Sequence, residues 1–153
     1  MYRPQRAAFL QGLDATVERF ARAGKATLFV GEVPPLGRDP YACIETQPTL
    51  ADVRANCRNA PYTEVLDETA WSVAAAMERR ARWPTLHVFD PLPALCSDGR
   101  CRMMDGDTML YNDGNHVNNA GARRVVEAMA PTLDALLRAA APDAAPDPSA
   151  LQR

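Results

Sequence analysis

Two short apolar runs constrain this chain most. Lys25 to Val33 carries Ala-Thr-Leu-Phe-Val-Gly-Glu-Val and stops at Pro34-Pro35, and Thr85-Leu86-His87-Val88-Phe89 stops at Asp90-Pro91. Their centres are continuously apolar, as in strands covered on both faces. Between them Glu64 to Arg82 reads as a helix, with Val65, Ala70, Val73 and Met77 inward and Pro84 ending it. A strand, a helix and a second apolar strand predict parallel pairing through a right-handed crossover. His87 lies inside the second strand and reads as a hydrogen-bonded structural histidine. Trp71 and Trp83 read as packing residues.

The flanks extend this pattern. Phe9, Leu13, Val17 and Phe20 recur at helical spacing from Pro4 to Ala23, and Gly24 stands where a helix stop belongs. A third helix begins near Asn119, with Ala122, Val125, Val126, Met129, Leu133, Leu136 and Leu137 on one stripe. Pro131 predicts a kink or restart within it. Leu36 to Tyr62 is a long connection broken by Pro40, Pro48 and Pro61, with a short helix over Leu50 to Asn56. Connections this long inside a domain are usually functional or stapled. The proline-rich tail from Pro142 has too little to bury and reads as disordered, leaving residues 1–140 as the folded unit.

Four cysteines, Cys43, Cys57, Cys96 and Cys101, permit three pairings, and spacing alone does not choose among them. Local pairing of Cys43 with Cys57 and of Cys96 with Cys101 is the expectation, and buried free thiols are the alternative. Disulfides place the chain in an oxidising compartment. Neither spacing matches a zinc knuckle, and with only two histidines no metal or cofactor is expected. A formal charge of −2 argues against nucleic-acid partners, and no apolar run approaches the roughly 18 residues of a membrane span. No signal peptide is visible at Met1-Tyr2-Arg3-Pro4.

The chemistry concentrates in Leu110-Tyr111-Asn112-Asp113-Gly114-Asn115-His116-Val117-Asn118. An aspartate and a histidine three apart in a Gly/Asn-rich loop let the carboxylate fold back on the imidazole. That fixes its tautomer and stabilises the imidazolium, as a histidine general base requires. The structural alternative is a polar turn followed by an Asn helix cap. No serine stands ready as nucleophile: Ser72 is mid-helix, Ser97 lies in the small cysteine loop and Ser149 in the tail. Gly106-Asp107-Thr108 follows no strand and reads as a turn.

Val88-Phe89-Asp90-Pro91, Leu95-Cys96, Cys101 and Leu110-Tyr111-x-Asp113-x-x-His116-Val117-x-x-Ala120-Gly121-Ala122 resemble the end of an SGNH hydrolase-like domain. The likeness is to the extracytoplasmic domain fused to membrane acyltransferases of family 3, which O-acylate cell-surface glycans. It spans about residues 4–140, and the Cys43/Cys57 pair fits it too. It implies a three-layer α/β/α, flavodoxin-like fold with parallel strands. It makes Asp113 and His116 members of a Ser-His-Asp triad. Val117-Asn118 replace a Leu-Ser pair that usually follows the histidine, keeping an apolar contact and a capping side chain.

The Gly-Asp-Ser nucleophile block and the oxyanion Gly and Asn have no counterpart here. By that likeness the chain is the C-terminal part of such a domain, its N-terminal strands missing, and is inactive alone. The expected partners are the missing half or a membrane acyltransferase domain, with a glycan as substrate. The expected location is periplasmic or extracytoplasmic. A degenerate relative that binds glycan or a partner chain is the competing reading.

Overall fold

The structure, a computed structural model, describes residues 3–61 and 64–140. The disorder expected of the tail falls outside these residues, and the inward position expected of Val65 falls outside the described side chains. The elements run α1 (Arg3–Arg22), β1 (Thr27–Val30), α2 (Pro40–Glu45), α3 (Leu50–Asn56), β2 (Asn59–Pro61), α4 (Glu64–Arg79) and β3 (Leu86–Phe89). They continue with α5 (Leu92–Leu95), β4 (Cys96–Ser97), β5 (Arg100–Arg102), β6 (Met104–Asp105), β7 (Thr108–Met109) and α6 (Asn119–Ala140).

β1 and β3 pair in parallel, with Thr27 opposite Leu86 and Val30 opposite Phe89. Both are shorter than the apolar runs: β3 begins one residue late, at Leu86, and its end at Asp90-Pro91 leaves β1 without a partner beyond Val30, since proline offers no ladder donor. Gly31 carries β1 away from the sheet, its amide donating to Phe89 O at 2.9 Å. A Cβ there would run into the Val73 side chain and Pro91. Side chains then alternate across the pair. Phe29, Leu86 and Val88 join Leu13 and Val17 of α1 and Val73 and Ala76 of α4. Leu28 and Phe89 turn instead to a larger cluster that includes Val125 and Met129 of α6.

Local signals account for the helix ends. Gly24, at φ 67°, closes α1, and Lys25 N donates back to Phe20 O at 2.9 Å. Thr49 caps α3 by accepting from Asp52 N, and Asp39 caps α2 by accepting from Tyr41 N. α4 ends at Arg79, three residues before the expected limit, and turns carry the chain to Pro84. The residue before a proline disfavours helical geometry, which unwinds that last turn. Trp71 and Trp83 pack as expected: Trp71 lies 5.5 Å from the Phe9 ring, and Trp83 Nε1 donates to Asp14 Oδ1. His87 differs from expectation. It is half-buried, lining a hollow with Pro84, Thr85 and Leu136, and its side chain makes no hydrogen bond among the described residues.

α6 does not restart at Pro131, and its apolar stripe is not all turned inward. It runs unbroken through Pro131. Pro131 and Glu127 are both exposed, so the carbonyl that loses its donor is left to solvent. Its apolar stripe is only partly covered: Val125 is buried, but Val126 is 54%, Leu133 37% and Leu137 56% exposed. Lengths explain this, since 22 helical residues span roughly 33 Å, whereas a four-residue strand covers about 13 Å.

The rest is loop-built yet well buried. Leu36, Leu95, Met103 and Tyr111 are all at most 1% exposed. Two disulfides staple this part in the expected local pairing: Cys43–Cys57 joins α2 to the end of α3, and Cys96–Cys101 crosses from β4 to β5.

Candidate active site

The loop carrying Asp113 and His116 is pinned at its neck. Tyr111 and Val117 form an antiparallel bridge, and Asn112 N donates to His116 O at 2.7 Å. Below the neck, Leu110 N donates to Met103 O and Asn118 N to Leu110 O, each at 2.9 Å. Tyr111 is fully buried and its hydroxyl donates to Pro34 O at 2.9 Å. Burial pushes its ionisation far above the ordinary phenol range. The loop following β1 thus meets the Asp/His loop directly. Leu36 N also donates to Gly114 O at 2.7 Å.

Two glycines permit this closeness. A Cβ on Gly114 would stand 3.2 Å from Arg38 O, and one on Gly121 would collide with Leu110 O and the Val117 side chain. Asn118 then starts α6. Its Oδ1 accepts from Ala120 N and Gly121 N, and its amide nitrogen donates to Met109 O at 2.8 Å. The capping expected of Asn118 and the apolar contact expected of Val117 are both present.

Within the loop, Asp113 Oδ1 accepts from Asn115 N at 2.9 Å and His116 N at 2.8 Å. The same carboxylate meets His116 Nδ1, at 3.1 Å through Oδ1 and 2.8 Å through Oδ2. An ionised carboxylate only accepts, so Nδ1 carries a proton, and in the neutral imidazole Nε2 then holds the lone pair. The backbone amide of Asn115, then the His116 ring and amide, hold the Asp113 carboxyl below the ordinary aspartate range. The His116 side chain is 71% exposed, leaving its outer nitrogen open to a substrate or a nucleophile. This arrangement orients a basic nitrogen and supports the positive charge it acquires on protonation.

The described serines do not complete it. Ser72 is buried within α4, and Ser97 is exposed in β4. Among the described residues, the hydrogen bonds of the His116 side chain go to Asp113 alone. Gly106-Asp107 forms a turn as expected, but a strand does precede it: β6 pairs with β7, which takes in Thr108, and Arg54 grips Asp107 through two bonds of 2.8 and 2.6 Å. No group of three His, Cys, Asp or Glu side chains converges as a metal site among the described residues.

Two supports escaped sequence reasoning. Tyr111 carries a signal, an aromatic just before a polar loop, but its anchoring bond lies across the chain at Pro34. Arg38 carries none. Its backbone packs on Gly114, while its guanidinium donates to Asn56 O and Asn59 O at 3.2 and 3.0 Å.

The family model described as the SGNH domain (fused to AT3 domains) matches residues 1–131. No curated protein and no solved structure matches the chain.

Proposed function

The chain belongs to the family of SGNH domains fused to AT3 domains, a family of esterase and acyltransferase type, and from that premise we propose that it supplies the acid–base half of a serine acyl-transfer site. His116 Nε2 takes the proton of a serine hydroxyl as that oxygen attacks an ester carbonyl. Asp113 holds the Nδ1–H and stabilises the imidazolium. His116 then returns the proton to the departing alcohol, leaving an acyl-serine. Water or a glycan hydroxyl accepts the acyl group by the same steps reversed. The substrate class is an O-acyl group on an extracytoplasmic glycan, the location in keeping with two disulfides. The nucleophile comes from outside the described residues, from a segment or domain that docks on this one. A membrane acyltransferase is the matching partner by family. The alternating faces of β1 and β3 support reading the fold as part of a three-layer α/β/α domain.

One observation carries the proposal: the 2.8 Å contact of Asp113 with His116 Nδ1, on a loop pinned at both ends. The surroundings of His116, exposed and without a serine among the described residues, favour a second reading, a non-catalytic relative that binds glycan or a partner. Turnover of a small activated acetyl ester separates the two. The chain is assayed alone and together with a nucleophile-bearing SGNH segment from the same protein or gene neighbourhood. The acid–base reading expects turnover only in the second case and its loss in His116→Ala. An assembly that binds yet stays inert favours the binding module.

A further inference from the structure

The three-stranded sheet β2-β5-β4 has two unlike faces. Ala60 and Cys101 pair across it and are fully buried. Strand alternation therefore turns Arg100 and Arg102, the neighbours of Cys101, to the opposite face. Their register partners there are Ser97 and Asn59. These four residues, with Arg58, Asp98, Asp105 and Gly106, line a cavity of about 350 Å³, within the range of small-ligand sites.

The charges in this cavity are unbalanced. The guanidinium groups of Arg58, Arg100 and Arg102 make no hydrogen bond or ion pair among the described residues. Other arginines nearby are committed: Arg54 grips Asp107, and Arg124 holds Asp105 at 2.9 Å while its Nε donates to Ala94 O. Asp105 is thus already matched from outside. Asp98 remains in the lining, and Asp107, already held by Arg54, also interacts with Arg58, so three guanidiniums still face one uncommitted carboxylate, on a chain whose formal charge is −2. Like charges gathered on one stapled sheet repel unless an anion lies among them, and guanidinium forks match carboxylate and phosphate oxygens. The Cys96–Cys101 disulfide holds the platform in place.

The cavity is also tied to the candidate active site. Arg38 packs its backbone on Gly114 of the Asp113/His116 loop, and its side chain grips the carbonyl of Asn59, which lines the cavity. We propose that Arg58, Arg100 and Arg102 form a subsite for the acidic group, carboxylate or phosphate, of a sugar unit in the glycan that the domain acts on. The glycan context rests on the acyl-transfer reading; the anion preference rests on the arginines alone.

Equilibrium binding to the full 153-residue chain tests this without turnover, so failure of the catalytic reading leaves the result intact. The probes are hexagalacturonate, a phosphate-bearing hexasaccharide, a neutral cellohexaose, inorganic phosphate and duplex DNA of comparable charge. The expected result is measurable affinity for one or both acidic hexasaccharides, falling with added salt, and at least tenfold weaker binding of cellohexaose. Which of the two binds identifies the acidic group. The triple variant Arg58→Gln, Arg100→Gln, Arg102→Gln loses at least tenfold of that affinity. Arg100→Gln and Arg102→Gln alone each lose severalfold with an unchanged circular dichroism spectrum. Arg19→Gln, exposed on α1, changes nothing. Equal binding of cellohexaose, unaltered binding by the folded arginine variants, or inorganic phosphate or DNA binding at least as tightly as both acidic hexasaccharides would overturn the proposal.

Discussion

The loop-built part and the regular part of this molecule invert the usual expectation. Residues 34–61 and 92–118 hold only short helices and strands, yet contain most of the larger buried cluster and both disulfides. The parallel pair and its helices look more orderly but leave apolar side chains in solvent: Val30 is 45% exposed, Val126 54% and Leu137 56%. Both outer edges of β1-β3 are unpaired among the described residues. Apolar groups spaced along one helix and one strand end are a surface awaiting cover, whereas in the loop-built part only Leu50 and Tyr41 are exposed among the described large apolar side chains. The contrast teaches that the Asp113/His116 loop is held by neighbours within the chain, whereas the edges of the β1-β3 sheet are not covered among the described residues.

The largest expected effect strikes the loop-built part. Cys57→Ser removes a staple closing a 14-residue separation, and the chain-entropy model assigns such a loop about 3 kcal/mol. Chemical denaturation should show that loss. An unchanged midpoint would mean that the loops hold without the staple. Next comes Gly121→Ala, whose Cβ meets backbone at Leu110 rather than a yielding side chain; overpacking of this kind costs about 1–3 kcal/mol. Asn118→Ala follows, at about 1 kcal/mol for a lost helix cap, read by the same denaturation curves.

How much of this was legible follows the same division. The Asp113–His116 contact, the Asn118 cap and the Gly24 stop were readable because each is set by residues within five positions. The span Leu50–Asn56 was readable for the same reason, its cap lying at Thr49. Illegible were contacts made across the chain. Arg38 reaching Asn59, the exposed outer half of the α6 stripe and the unbonded His87 depend on what lies opposite, which periodicity does not encode. β2 and β4–β7 were missed because they are two or three residues long and exist only through pairing.

Smaller effects sharpen the comparison from the regular side. Val126→Lys and Leu137→Lys should leave the stability of the chain within about 0.5 kcal/mol, as exposed substitutions do, yet weaken capture of a nucleophile-bearing segment. Sedimentation with and without that segment checks both halves of this statement. The smallest effect concerns pH. The folded state depresses the Asp113 carboxyl, so its contribution is present above the ordinary value of about 3.9 and is lost as pH falls through the folded value. Acid titration of Asp113→Asn should lack that component. An identical acid limb in both proteins would show that the loop bonds do not hold the carboxylate.

The central claim is that Asp113 and His116 act as one unit on a serine. A double-mutant cycle on kcat/KM, in the assembly that includes the nucleophile, tests it most directly. His116→Ala should remove nearly all turnover, Asp113→Asn should cost about 10⁴-fold as when a base is left in the wrong tautomer, and the double variant should be no worse than His116→Ala. Additive losses, or substantial turnover without His116, would contradict the account.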